Sequence, residues 1–456
     1  MTTLITSHPV GDSKHRSSES ERLFEKACKV FPDGMTRATI EKDPFPRYMA
    51  YGEGAYLYDV DGNQFLDLNG NFTTLIHGHG FQPIVEAVQR QLSSGSCFAN
   101  PTVHEIALAE TLSARIPNVD QVRFVNSGTE AVMFAIKAAR AFTGRPGIAK
   151  FEGSYHGAYD CVEVSQAATP ENWGSKENPN SVPFYHGAPK SVLDETVVLR
   201  FNDAPQLEER LKARAGEIAA VLVDPMPSRA GLIPPEPEFL NSLHNTCHDL
   251  GIVIISDEVL NLRQGYQGAS ARYGLQPDLL AMGKIIGGGL PIGAIGGRTE
   301  IMKVFTSENG RPRLPQGGTF SANPLSMVAG LASMEALDHQ AFEHLESLGV
   351  KLRTGLSKIM SERSLPFSVS GGGSLFRIHP TAELPREFRD TFEAPRQKAV
   401  MKSLTRFFAS NGVILPNAAA GCLSTPMTEK EIDLVIDIFD EFVREQESEI
   451  AAMETN

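Results

Sequence analysis

The sequence predicts an α/β fold with a mostly parallel sheet covered by helices, and three features carry that reading. Ala219-Ala220-Val221-Leu222-Val223 and Ile252-Val253-Ile254-Ile255 are continuous apolar runs without polar alternation, the pattern of strands buried on both faces. Residues 238–250 between them have helical character and stop at Gly251, so strand, helix and strand succeed one another as in a parallel crossover. Polar residues with chemical potential stand just past strand ends, Asp257 and Asn126 among them, where open α/β sheets place their ligands.

The remaining elements follow along the chain. The first twenty residues are polar and lack a signal-peptide apolar core, which reads as a disordered arm or an N-terminal extension. Ile106, Leu108, Ala109 and Leu112 mark one face of an amphipathic helix. Gln121 to Val125 reads as a short strand, and residues 131–142 form a helical run halted by Gly144. Gly147 to Lys150 is a further apolar stretch. Residues 167–192 are rich in Pro, Gly, Asn and Ser, a loop long enough to be a lid over a site or a plain surface insertion. Phe367 to Ile378 has strand character around Gly371-Gly372-Gly373. The last helix starts at Thr428 with Glu431 three residues on, a capping box, and Ile432, Val435, Ile436, Phe439 and Val443 give it one apolar face. The division expected is residues 1–75 as arm and part of a small α+β domain, 76–330 as the large domain, and 331–456 as the rest of the small one.

Composition narrows the function. A formal net charge of −13 argues against nucleic acid or an anionic membrane as partner. No apolar run is long enough to span a bilayer. The cysteines (Cys28, Cys97, Cys161, Cys247, Cys422) are scattered, odd in number and without a CxxC pair, which suits free thiols in the cytoplasm and gives no metal signature.

Chemistry concentrates in four motifs. Lys284 sits in Ala281-Met282-Gly283-Lys284-Ile285-Ile286-Gly287, 27 residues after Asp257, which closes an apolar strand. A buried carboxylate needs a partner. A lysine joined covalently to pyridoxal phosphate, with a carboxylate on the pyridine nitrogen, accounts for both residues. Upstream, Asn126-Ser127-Gly128-Thr129-Glu130 lies between a strand and a helix. There free N–H groups and the helix dipole meet, suiting a phosphate; the same residues also suit an ordinary helix cap. Tyr155, in Phe151-Glu152-Gly153-Ser154-Tyr155-His156-Gly157, offers a ring to stack on a flat cofactor or to cover the core. Thr319, in Gly317-Gly318-Thr319-Phe320, puts a hydroxyl in a glycine-loosened turn before a helix beginning near Pro324.

In this order the motifs resemble those of class III aminotransferases, fold-type I enzymes that use pyridoxal phosphate. Gly52 to Asn63 resembles the strand-turn-strand that opens the family, and Gly78-His79-Gly80 its next turn. The resemblance runs from about Phe31 to the last helix. It implies that Lys284 bonds the cofactor and moves the substrate proton, and that Asp257 keeps the pyridine nitrogen cationic. It implies further that Ser127, Gly128 and Thr129 hold the phosphate and that Tyr155 stacks on the ring. Thr319 is implied to reach the phosphate of a second subunit, hence a homodimer. Arg263 is expected to be a structural ion-pair residue beside the site.

Arg37, in Gly34-Met35-Thr36-Arg37, resembles the N-terminal arginine with which β-amino-acid aminotransferases grip a carboxylate; a surface or interdomain salt bridge is the plainer alternative. Ile414 to Thr425, where related β-phenylalanine aminotransferases carry a second arginine, has no basic residue and resembles glutamate-1-semialdehyde aminomutase. Asp224 stands where many relatives have a longer glutamate. The expected activity is transfer of an amino group between an amine or non-α amino acid and an oxo acid. An aminomutase is the alternative, and a non-catalytic cofactor-binding regulator a more distant one.

Overall fold

Seven strands form the central sheet of the computed structural model, which describes residues 18–42, 44–308 and 310–453. Their spatial order is Gln121–Val125, Gly293–Gly297, Leu279–Gly283, Val253–Asp257, Ile218–Val223, Gly147–Phe151 and Thr196–Leu199. From Leu279–Gly283 onward all neighbours are parallel. Gly293–Gly297 alone runs antiparallel to both of its neighbours. Three of its five residues are glycine, so it carries little strand propensity and no expectation attached to it. The glycine at 293 is sterically required, because a Cβ there would come 2.0 Å from the Ser127 carbonyl oxygen.

Both faces of the sheet are covered. Along Ile218–Val223, Ala220 and Leu222 pack with Ala131, Ala135 and Ile136 of helix Gly128–Thr143. Val221 and Val223 instead pack with Leu207 and Leu211 of helix Ala204–Ala213 and Phe239 and Leu243 of helix Pro237–Leu250. Each fully buried Val, Leu, Ile or Phe among them contributes about 1.5–3 kcal/mol. Gly144 and Gly251 close their helices in the left-handed conformation, with φ of 73° and 60°, as a glycine C-cap does.

The chain ends meet in a second sheet. Met49–Glu53, Tyr56–Asp59 and Gln64–Asp67 are antiparallel, and Val413–Ile414 joins Gln64–Asp67 in parallel. Ser368–Ser370, Leu375–His379 and Ala420–Cys422 make a third sheet around the Gly371-Gly372-Gly373 bend. Helix Glu429–Glu445 begins with the capping box of Thr428 and Glu431 and buries Ile432, Val435, Phe439 and Val443.

One expectation changes. Ser18 caps helix Glu19–Ala27 by accepting the Glu21 N–H at 3.1 Å, so residues 18–20 belong to ordered structure; the rest of the expected arm lies outside the described residues. The 167–192 segment, read as a lid or a surface insertion, is irregular until helix Lys190–Glu195. Arg389 pairs with Glu152 at 2.7 Å and donates to the carbonyls of Trp173, Gly174 and Ser175 at 2.9, 3.0 and 3.2 Å. Among the described residues, no helix is long and apolar enough to cross a membrane.

Candidate active site

Asp257 ends its strand almost completely buried, and two groups hold its carboxylate. Oδ2 lies 2.7 Å from His156 Nδ1, and Oδ1 accepts the Val259 N–H at 3.0 Å. Burial pushes the His156 imidazole below its ordinary range, against the opposing pull of Asp257; facing a carboxylate, which only accepts, Nδ1 is the donor of the pair. His156 Nε2 is buried without a partner among the described residues. One strand over, burial and then the Asp257 charge raise the Asp224 carboxyl well above its usual range. Asp224 accepts the Met226 N–H at 2.9 Å and a hydrogen bond from Asn261.

Lys284 follows strand Leu279–Gly283 with φ of 51°, a left-handed backbone uncommon outside glycine. Its Nζ lies 3.3 Å from Thr73 Oγ1, and burial pushes its pKa down to about 8, with Asp257 opposing. Thr73 ends an unusual turn. Gly70, Asn71, Phe72 and Thr73 have φ of 52°, 48°, 55° and 73°, a run that costs about 1–2 kcal/mol for each L-residue. Asn69 Oδ1 accepts the Phe72 N–H at 2.5 Å, and Arg263 Nη1 donates to the Thr73 carbonyl at 3.0 Å.

Arg263 differs from its expected role. Among the described residues it has no carboxylate partner: Nε donates to Ser374 Oγ at 2.9 Å and Nη2 to the Leu423 carbonyl. The residue is a buried clamp between three chain segments. At the outer end of the same turn, Asn71 Oδ1 accepts from Arg37 Nη1 at 3.2 Å, and the Arg37 guanidinium lies 5.7 Å from the Phe72 ring centre. Arg37 is exposed and forms no salt bridge with a described residue.

The glycines show how closely the motifs approach. A Cβ on Gly128 would stand 2.7 Å from Val259 Cγ1, and one on Gly283 3.3 Å from the same atom. The turn after Asp257 is thus wedged between the start of helix Gly128–Thr143 and the residue before Lys284. Gly157, at φ 90°, brings the Tyr155 segment onto Thr129, where a Cβ would fall 2.4 Å from Oγ1. Thr129 Oγ1 accepts the Ala158 N–H at 3.3 Å. Ser127 caps the helix by accepting the Glu130 N–H at 3.1 Å, which leaves the first N–H groups of the helix for an anion. Tyr155 is 48% exposed, with the Arg229 guanidinium 4.9 Å from its ring centre. Thr319 is exposed, in a loop tied to its own chain by Gln316, which accepts from Arg123 Nε at 2.7 Å and donates to the Phe124 carbonyl at 3.1 Å.

Lys284, Asp257, Ser127, Gly128 and Thr129 therefore converge, Tyr155 flanks them and Arg37 touches their rim through one turn. A buried carboxylate, a lysine amine of depressed pKa and a glycine-led helix start fit the three polar ends of pyridoxal phosphate: ring nitrogen, aldehyde and phosphate. Sequence reasoning missed His156 and Thr73. The histidine stood inside a quoted motif, but its partner lies 101 residues away; nothing in the sequence around Thr73 signals a left-handed turn. Among the described residues no group of His, Cys, Asp and Glu could hold a metal ion.

The family model for aminotransferase class-III matches residues 38–443. A glutamate-1-semialdehyde 2,1-aminomutase of Methanopyrus kandleri is 37% identical over 427 residues, covering 93% of this chain and 96% of its own. An omega-transaminase structure from Sphaerobacter thermophilus is 47% identical with a TM-score of 0.91, covering 94% of this chain and 97% of its own. A β-phenylalanine aminotransferase structure from Variovorax paradoxus is 30% identical with a TM-score of 0.84 and covers 94% of each chain. Motif order, converging geometry and a match over most of the length agree: the chain belongs to the class III aminotransferases, the fold-type I enzymes whose cofactor is pyridoxal phosphate.

Proposed function

We propose that the chain moves an amino group between an amine or β-type amino acid and an oxo acid such as pyruvate or 2-oxoglutarate. The observation that carries this reading is the junction of two groups on one turn: Thr73 faces Lys284 while Asn71 and Phe72 hold Arg37. It supports reading Arg37 as a carboxylate-binding fork linked to the reactive amine through that turn. When bound, the cofactor supplies a ring that accepts the electron pair left on the substrate carbon.

The protein's part is divided among few groups. Asp257 sets a negative charge against the ring nitrogen, and His156 fixes that carboxylate. Lys284 would anchor the cofactor, and burial, which lowers its pKa to about 8, brings its amine nearer the range suited to moving the substrate proton. Ser127, Gly128 and Thr129 receive the phosphate and Tyr155 stacks on the ring. Thr319 is assigned to the phosphate of a second subunit in a homodimer, a role supported by its exposure beside the exposed Phe320. Residues 76–330 are taken as the cofactor domain and the two chain ends as the small one. The cytoplasm is the assigned compartment, in keeping with five free cysteines.

A second reading is favoured by the aminomutase relatives, which are 36–38% identical. An aminomutase returns nitrogen to the same carbon skeleton and needs no acceptor. Amine and β-amino-acid donors offered with and without pyruvate or 2-oxoglutarate separate the two. Turnover that requires an oxo acid supports the transaminase, and isomerisation of an amino aldehyde without one supports the aminomutase.

A further inference from the structure

We propose that Arg229 is a second carboxylate-binding residue of the site, selecting substrates that carry an acid group at each end. This deepens the aminotransferase reading and rests on it. Arg229 lies in Pro227-Ser228-Arg229-Ala230, in the turn region after strand Ile218–Val223. It therefore shares the C-terminal edge of the sheet with Asp257 and with Tyr155.

Its guanidinium lies over the Tyr155 ring, 4.9 Å from the centre, and both residues are open to solvent. A guanidinium that lies against an aromatic ring can keep N–H groups for hydrogen bonding. Among the described residues no carboxylate engages those groups, in a protein of net charge −13. Other arginines at the surface do find acids: Arg386 pairs with Glu236, Arg298 with Asp278 and Arg272 with Glu346.

The backbone beneath Arg229 is held from inside. Arg377, buried, donates through Nη1 to the Ser228 carbonyl at 3.1 Å and the Arg229 carbonyl at 3.2 Å. An arginine with an anchored backbone, a ring against its guanidinium and no carboxylate partner among the described residues has little left to order when a planar anion arrives. Bidentate capture of a carboxylate is what such a guanidinium does best.

Arg37 belongs to a different element, reached through Asn71 and Phe72. Residues 414–425 contain no basic side chain, so they supply no cation to the pocket. Two forks on different elements of one site suit a substrate with an acid group at each end, and among acceptors an oxo diacid.

The test uses the holoenzyme and two unreactive probes, glutarate and butyrate, whose binding is measured by calorimetry. KM values for 2-oxoglutarate and pyruvate are measured beside them. Wild type should bind glutarate at least about tenfold more tightly than butyrate, as one charge-assisted carboxylate contact predicts. Arg229→Met keeps an apolar stem on Tyr155; it should lose that preference and raise the KM for 2-oxoglutarate about 10- to 100-fold, with a far smaller change for pyruvate. Arg229→Lys should fall between, because an ammonium keeps charge without the fork. Cofactor content in the variants checks that the fold is intact. Glutarate affinity unchanged in Arg229→Met, equal losses for both probes, or a wild type that does not prefer glutarate would each overturn the proposal. A wild type that binds glutarate through Arg229 but transfers no amino group would uphold the carboxylate site and refute the aminotransferase reading. Amino transfer with glutarate binding indifferent to Arg229 would do the reverse.

Discussion

Removing the Arg263 clamp should damage stability and catalysis together. Its guanidinium satisfies the carbonyls of Thr73 and Leu423 and the hydroxyl of Ser374. Arg263→Met has similar reach but no donors, so two backbone acceptors lose their partner. At about 1–3 kcal/mol for each orphaned group, the loss is about 2–6 kcal/mol. The left-handed turn from Gly70 to Thr73 adds a second effect, because its strain persists only while the surroundings enforce it. Freed at its Thr73 end, the turn relaxes and withdraws the hydroxyl from Lys284 Nζ. Urea unfolding should show a lowered midpoint, and single-turnover amino transfer should slow by at least about tenfold, roughly the 1.4 kcal/mol carried by one lost placement contact. Arg263→Lys should recover part of the stability and less of the rate. Thr73→Val separates the two effects: it deletes the contact to Lys284 and leaves the clamp intact, so the rate should fall while the midpoint holds. A stable Arg263→Met with an unaltered rate would refute the reasoning, since the turn would then be holding itself.

Other consequences can be checked directly. Borohydride reduction of the holoenzyme should fix the cofactor on Lys284, and Lys284→Ala should fold without transferring amino groups; an adduct on another lysine in a peptide map would contradict the assignment. Asp257→Asn should cost several orders of magnitude in turnover, because a neutral amide cannot sustain a cationic ring nitrogen, and near-normal turnover would remove Asp257 from that role. Arg37→Ala should raise KM for acid substrates about 30- to 150-fold and leave simple amines nearly unaffected, whereas equal losses would make Arg37 structural. The rate at which apoprotein takes up pyridoxal phosphate should rise with pH and level off above about 8, since burial lowers the Lys284 pKa to about 8 and the neutral amine is the nucleophile. A midpoint near the ordinary lysine value would show that the amine is not buried as described.

Much of the frame is legible in the sequence because its signals are local. Apolar continuity marks Ile218–Val223 and Val253–Asp257, Gly144 and Gly251 mark helix ends, and Thr428 with Glu431 marks a helix start. Lys284, Asp257 and the Ser127 turn are legible for a related reason, since each sits just beyond such a strand. What escapes is set by contacts between distant segments. Strand Gly293–Gly297 is specified by the narrow space beside Ser127 rather than by its own side chains. Asp257 and His156 belong to different strand ends, and only the parallel sheet makes them neighbours. Arg263 reads as an ion-pair residue because backbone carbonyls leave no trace in a sequence. The left-handed turn is likewise invisible: Asn71 tolerates that conformation, but Phe72 and Thr73 do not advertise it.

The pairing of the chain ends governs when an active site can exist during synthesis. The Leu66 N–H bonds to the Gly412 carbonyl at 2.8 Å and the Leu68 N–H to that of Ile414 at 3.1 Å. The Cys422 N–H closes on Leu68 and that of Thr425 on Ile76, both at 2.8 Å. These bonds bracket the turn that meets Lys284, so the turn stays unsupported until residues near 425 have left the ribosome. Until then the nascent chain carries an unpaired edge at Gln64–Asp67, the kind of surface that invites wrong partners. Contacts so distant in sequence also form slowly. Capture of the cofactor is thereby expected only after residues 66–76 have joined residues 412–425.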